Sequence, residues 1–283
     1  MMASMLYYCK LTNILTSIGF EINLHDPCIA NKVINGSHMK ILFHLYDWKM
    51  SHCKRKANDH MIKWLRQSYE SIFEDGSGKI SVIQGKVHEY LGMTLDYNVS
   101  GQVSITMFSS IEEILTTLDK AYLKGKGTKS SAEPDNIFVI NEDCKKLDQE
   151  KSVEFQNLVT KTLYATKRER LDTRMAITFL KTRVRVTDKE DWDKLVYLMR
   201  YIRVTYKFSL TLSANRSVML KWWVDEFFEV NPNIRGHSGG GLSLGRGFPI
   251  FSSTKQNLNT KFPRRQKLWE LMTSCQLSAR NDI

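Results

Sequence analysis

Apolar residues change their period twice along this chain, and that change limits the fold more than any single motif does. Lys79 to Ile83, Val87 to Leu95 and Val103 to Met107 read as short strands, the last two joined by a turn at Asn98-Val-Ser-Gly101. From Ser110 to Ile202 the apolar positions recur every three or four residues, as Ile114, Leu115 and Leu118, then Phe155, Leu158, Val159 and Leu163. Met175, Ile177, Phe179 and Leu180 continue the series, and Trp192, Leu195, Val196, Met199 and Ile202 complete it, so this block is helical. Alternation returns over Lys207 to Leu212 and Val218 to Asp225. Strands grouped on either side of a helical block imply an α+β fold.

Local signals refine the frame. Leu6 to Phe20 is helix-like and stops at Gly19, Met39 to Tyr46 is a strand ending at Asp47, and Ile62, Leu65, Tyr69 and Ile72 line a helix starting near Asn58 or Asp59. Two capping boxes, Ser110 with Glu113 and Thr187 with Glu190, are expected to open helices. Residues 123–135 read as a linker or exposed loop, and Gly239-Gly240-Gly241 as a tight hairpin. No internal repeat is present.

Composition narrows the class of protein. With 42% apolar and 11% aromatic residues, a chain of 283 residues buries a core without staples. Five scattered cysteines without a Cys-x-x-Cys pair read as reduced thiols. No apolar stretch reaches a membrane span and Lys10 interrupts the N-terminal apolar run, so an intracellular protein of cytoplasm or nucleus is expected, with no membrane partner.

A net charge of +11 suits a polyanion, because Lys and Arg that meet phosphates release condensed counterions. The densest basic run, residues 161–174, offers Lys161, Lys167, Arg168, Arg170 and Arg174 as nucleic-acid contacts; the alternative is a solvated helix face.

Other chemistry finds little support. His52, Cys53 and His60 lack a partner pair for zinc, the glycines near 240 lack the P-loop and dinucleotide spacings, and no serine sits in a nucleophile elbow. No small-molecule cofactor is indicated. Two aspartates remain, Asp47 and Asp225, each ending an apolar run; such a carboxylate either forms a turn or holds a divalent metal for phosphoryl transfer.

Several motifs together resemble the polymerase polyprotein of copia-type retrotransposons, from the reverse transcriptase palm into RNase H. They are Ser17-Ile-Gly-Phe-Glu21, Asp26-Pro27-Cys28, His44-Leu-Tyr-Asp-Trp-Lys49 and Tyr90-Leu-Gly-Met93. Further along stand Ala165-Thr-Lys-Arg-Glu-Arg-Leu-Asp172, whose end resembles Thr-Arg-Pro-Asp, and Tyr197-Leu-Met-Arg-Tyr-Ile-Arg203. Trp222-Trp-Val-Asp225, His237-Ser-Gly-Gly240 and Ser253-Thr-Lys-Gln256 resemble the start of the RNase H domain.

The resemblance implies a partial palm sheet with packed helices over 1–108, a helical thumb or connection over 109–206 with the linker near 123–135, and an incomplete RNase H-like sheet over 207–261. It implies Mg2+ as the family's cofactor and RNA, DNA or their hybrid as partner. It further implies that Asp47 is the surviving carboxylate of the polymerase hairpin and Asp225 the first RNase H carboxylate. Departures from the pattern imply inactivity. Tyr46 stands where the hairpin's first aspartate belongs, and a phenol of pKa near 10 is a poor divalent-metal ligand at neutral pH. The third polymerase carboxylate is expected upstream of Met1. After Lys261 the expected Glu-containing segment is missing. One choice of codons for Phe262 to Thr273, read with one extra base before them, spells it, so residues 262–283 are expected to be a frame-shifted tail. The competing expectation is a non-catalytic nucleic-acid-binding protein derived from such an element.

Overall fold

The computed structural model describes residues 2–45, 47–69, 79–133, 136–215, 219–227 and 236–256. It is α+β, and by contacts the chain divides into two compact units, one ending at Leu91 and the other starting at Gly92.

The first unit runs α1 (Met2–Ser17), β1 (Glu21–Ile22), β2 (Ile29–Ile34), β3 (Ser37–His44), β4 (Asp47–Ser51), α2 (Arg55–Tyr69) and β5 (Val87–Tyr90). Its sheet is antiparallel in the order β1-β2-β3-β4. Strand β3 puts Met39, Ile41 and Phe43 on one face and Lys40 on the other, as a period of two requires. Leu11 and Leu15 of α1 and Met61 and Leu65 of α2 join those three, with Phe20 and Ala30, in one core. The turn between β2 and β3 is Asn35-Gly36, with φ of 51° and 76°, the left-handed pair that matches the twist of a two-residue hairpin.

The second unit contains β6 (Met93–Asp96), β7 (Gln102–Thr106), α3 (Phe108–Thr117), α4 (Lys120–Leu123), α5 (Gln149–Thr166), a 3-10 turn (Leu171–Thr173), α6 (Arg174–Arg183) and α7 (Lys189–Val204). It continues through β8 (Leu210–Ala214), β9 (Lys221–Phe227), β10 (His237–Ser243), β11 (Gly245–Arg246) and β12 (Ile250–Lys255). Strands β6, β7, β8 and β11 are successive antiparallel neighbours, while β9, β10 and β12 form a separate antiparallel meander with β10 in the middle. Ile111, Ile114, Phe155, Leu158, Ile177, Leu180, Leu195 and Met199 build the helical core. Within it Arg183 is buried and held by Asp188 and Asp191 at 2.9 and 3.0 Å, which satisfies a charge that would otherwise be costly there.

Several boundaries differ from the sequence reading. Residues 79–83 form no strand, and Val87 to Leu95 breaks into β5 and β6 at Leu91-Gly92, where φ is 52° and 72°. Helix α2 starts at Arg55 rather than at Asn58 or Asp59. Helix α3 starts at Phe108, which places Ser110 inside its first turn and removes the first capping box. The second box exists one residue later, with Asp188 and Asp191 exchanging side-chain and backbone hydrogen bonds. Gly239, Gly240 and Gly241 are the middle of β10, not a hairpin. The Phe248 ring covers Gly241 so closely that a Cβ there would meet it at 2.6 Å, which accounts for a glycine inside a strand. Tyr46, Phe228, Lys261 and residues 262–283 lie outside the described residues.

Candidate functional site

Asp47 opens β4 and pairs in register with His44, with Leu45 in the turn that follows β3. Leu45 takes φ 50°, a left-handed conformation that costs a leucine energy, and its side chain is exposed. Asp47 is exposed at this tip. Around it gather residues remote in sequence. The Cys28 carbonyl accepts from the Phe43 amide at 2.9 Å, and the Asp26 carboxylate accepts from the Cys28 amide at 3.0 Å. Tyr90, at the end of β5, is the meeting point: burial above all, then Asp47, Cys28 and Asp26, push its phenol above the usual range. Sequence reasoning named Asp47 as a site residue and missed Asp26 and Tyr90. The signal was present, because both stand in motifs quoted for the family resemblance.

Asp225 sits exposed on β9, opposite Gly239 of β10. Next to it in the meander His237 is buried and its Nε2 lies 2.7 Å from the Ser253 hydroxyl, while Nδ1 is buried without a hydrogen-bond partner. Burial holds the His237 imidazole below its ordinary pKa of 6.5. These two residues belong to the His-Ser-Gly-Gly and Ser-Thr-Lys-Gln motifs and act between strands. Trp223 of the same strand is 59% exposed.

The five basic candidates do not share one environment. Lys161 is ion-paired with Glu113 at 2.7 Å. Lys167 is exposed just beyond α5, and Arg168 lies over the Tyr164 ring at 3.5 Å. Arg170 is 2% exposed, and its guanidinium grips both Asp172 oxygens and donates to the Thr205 hydroxyl. Its position is structural: the Arg and Asp of the Thr-Arg-Pro-Asp-like element bind each other. Arg174 is half-buried, and loss of solvent lowers its pKa. Beside them Glu169 is buried, with both carboxylate oxygens lacking a hydrogen-bond partner. Burial raises its pKa to about 7, against the opposing charge of Arg170.

His52 is explained without a metal. Its Nδ1 accepts from the Lys54 amide at 3.0 Å and its Nε2 faces the Ile34 carbonyl at 3.2 Å, tying the end of β4 to the β2–β3 turn. A divalent ion of the magnesium type wants an octahedron of oxygens anchored by carboxylates, and two-metal chemistry needs carboxylates shared between the ions. Among the described residues no group of three or more His, Cys, Asp and Glu side chains converges as such a site requires. Asp225 faces a glycine across the ladder, and the residue before Asp47 is a tyrosine in the sequence.

Among the described residues no helix is long and apolar enough to cross a membrane. Compared with protein families, with curated proteins and with solved structures, the chain matches none.

Proposed function

We propose that this chain is a remnant of a copia-type reverse transcriptase palm running into the start of an RNase H domain, and that it does not catalyse nucleotide transfer. The observation that carries the reading is convergence. Asp26-Pro27-Cys28, the hairpin bearing Asp47 and the Tyr-Leu-Gly element at Tyr90 are far apart in sequence, yet the Cys28 carbonyl accepts from the Phe43 amide of β3 and β5, which ends at Tyr90, packs against β4. Asp47 also lies on a tight antiparallel hairpin, and Asp225 on the first strand of an antiparallel meander, in keeping with the resemblance. Inactivity follows from Tyr46 in place of a carboxylate, which leaves the hairpin one ligand short.

The test is primer extension and hybrid-strand cleavage with Mg2+, comparing the wild-type chain with Asp47→Asn and Asp225→Asn. Equal, background-level turnover in all three is expected; extension by the wild-type chain above Asp47→Asn would overturn the reading. Sequencing the locus and transcript across codons 46 and 261 tests the lesions themselves.

A second reading, a non-catalytic nucleic-acid-binding protein of the same origin, is favoured by the excess of 41 Lys and Arg over 30 Asp and Glu.

A further inference from the structure

Residues 123–135 read as a linker or exposed loop in the sequence, and the described part of that stretch, 123–133, lies along α7, without regular secondary structure after Leu123. Arg200 Nε donates to the Tyr122 carbonyl at 2.8 Å and Arg203 Nη2 to the Gly125 carbonyl at 2.8 Å. Thr128 donates to the Tyr197 carbonyl at 3.3 Å, and the hydroxyls of Ser130 and Tyr197 lie 3.3 Å apart. Gly127 is pressed onto the helix so closely that a Cβ there would stand 2.0 Å from Val204 Cγ1. The described part of this stretch is therefore anchored to α7 from Gly125 to Ser130.

What this strap presents is positive charge. Residues 119–133 hold four Lys against Asp119 and Glu133 at their two ends, and residues 196–214 hold two Arg and one Lys with no acidic residue: seven positive charges against two negative. Lys124, Lys126 and Lys129 are exposed. Asp119 caps the Ala121 amide, Glu133 accepts from Asn136, and Asp172, whose carbonyl accepts from Ser131, has its carboxylate closed by Arg170. The C-terminus of α7 contributes only about half a negative charge, too little to neutralise the group. At the same end of α7, Tyr206 and Phe208 are 42% and 55% exposed, surfaces on which bases can stack.

We infer that the strap of Lys124, Lys126 and Lys129 on α7 is a phosphate-backbone contact surface for nucleic acid, distinct from the end of α5. The inference rests on the nucleic-acid-binding reading and names where that binding occurs. Its physical basis is preorganisation. Lysines on a free linker must be ordered when they meet phosphates, whereas here the anchored backbone has already lost that freedom on folding.

The experiment is fluorescence anisotropy of the full chain with labelled single-stranded RNA, single-stranded DNA and an RNA–DNA hybrid across a salt series. The triple variant Lys124→Gln, Lys126→Gln, Lys129→Gln is compared with a second triple variant, Lys161→Gln, Lys167→Gln, Arg168→Gln. The strap variant should lower the slope of log affinity against log salt by about 2 to 3, while the second variant keeps most of the wild-type slope. Thermal melting at the wild-type temperature shows that the strap variant is folded. Wild-type binding with an unchanged slope in the strap variant overturns the inference and leaves the binding reading standing. Absence of wild-type binding at low salt overturns both.

Discussion

Arg170 and Asp172 form a two-pronged ion pair, Nε to Oδ1 at 3.0 Å and Nη2 to Oδ2 at 2.7 Å, with the arginine buried and the aspartate at the surface. Arg170 also lies near the Tyr201 and Phe208 rings, so a single side chain ties the 3-10 turn to the end of α7. Arg170→Ala should destabilise the second unit by about 3 kcal/mol, because it strands Asp172 and empties a packed position. Arg170→Lys should recover less than half of this, since an ammonium cannot reproduce the fork. Urea unfolding measures the loss. Salt dependence of nucleic-acid binding should not change in Arg170→Lys.

Glu169 gives the stability a pH dependence of known sign. Its pKa rises from 4.5 to about 7 on folding, so the folded state holds the proton more tightly than the unfolded one. The stabilisation that accompanies protonation is complete below pH 4.5 and is lost as pH rises through 7. Glu169→Gln should remove most of that dependence, worth roughly 3 kcal/mol between the two limits. Urea midpoints of wild type and variant at pH 5 and pH 8 test it; parallel shifts in both proteins would show that another group is responsible.

His237 works in the opposite direction. Its folded pKa lies below 6.5, so the unfolded chain takes up a proton first and the folded state loses stability as pH falls below 6.5. Replacing it by Phe should flatten the acid limb of the melting curve. It should also free the Ser253 hydroxyl, which now pairs across the meander with Nε2 at 2.7 Å. The imidazole signals, followed by NMR through the same range, should show less than half protonation in the folded wild-type chain at pH 6.5.

Leu45 carries left-handed backbone at the tip of the β3–β4 hairpin, with φ 50° and 46% of its surface exposed. Leu45→Gly relieves that conformation and removes an exposed apolar side chain, so it should stabilise the chain by about 1 kcal/mol. A lower melting temperature would mean that Leu45 packs in a way its exposure does not suggest.

Gly127 tests the strap itself. Gly127→Ala places a methyl group on Val204 and should cost about 1 to 3 kcal/mol or lift the strap from α7. Val204→Ala in the same chain should restore the wild-type melting temperature, a compensation that separates overpacking from a simple loss of backbone freedom.

Much of the fold was legible because burial imposes a period. The alternation of Met39, Ile41 and Phe43 along β3, and the three-to-four spacing of Phe155, Leu158 and Val159 along α5 and of Leu195, Met199 and Ile202 along α7, are local consequences of which face meets the core. Turns that need left-handed backbone were legible in part. Gly101 ends the β6–β7 hairpin as its chemistry predicts, but Leu45 and Leu91 take positive φ that no propensity assigns to leucine.

The sequence by itself determined the α+β class and the order of strand and helix blocks, because these depend on residue type and near-neighbour spacing. Tertiary structure alone decided which charges are free. Arg170 looked like Lys167 in a basic run, yet one is buried on Asp172 and the other exposed. The strap looked like a linker until Arg200 and Arg203, 78 residues away, closed on its carbonyls. Charge and polarity are properties of a residue, but desolvation and partnership depend on groups that only the folded chain brings within a few ångströms.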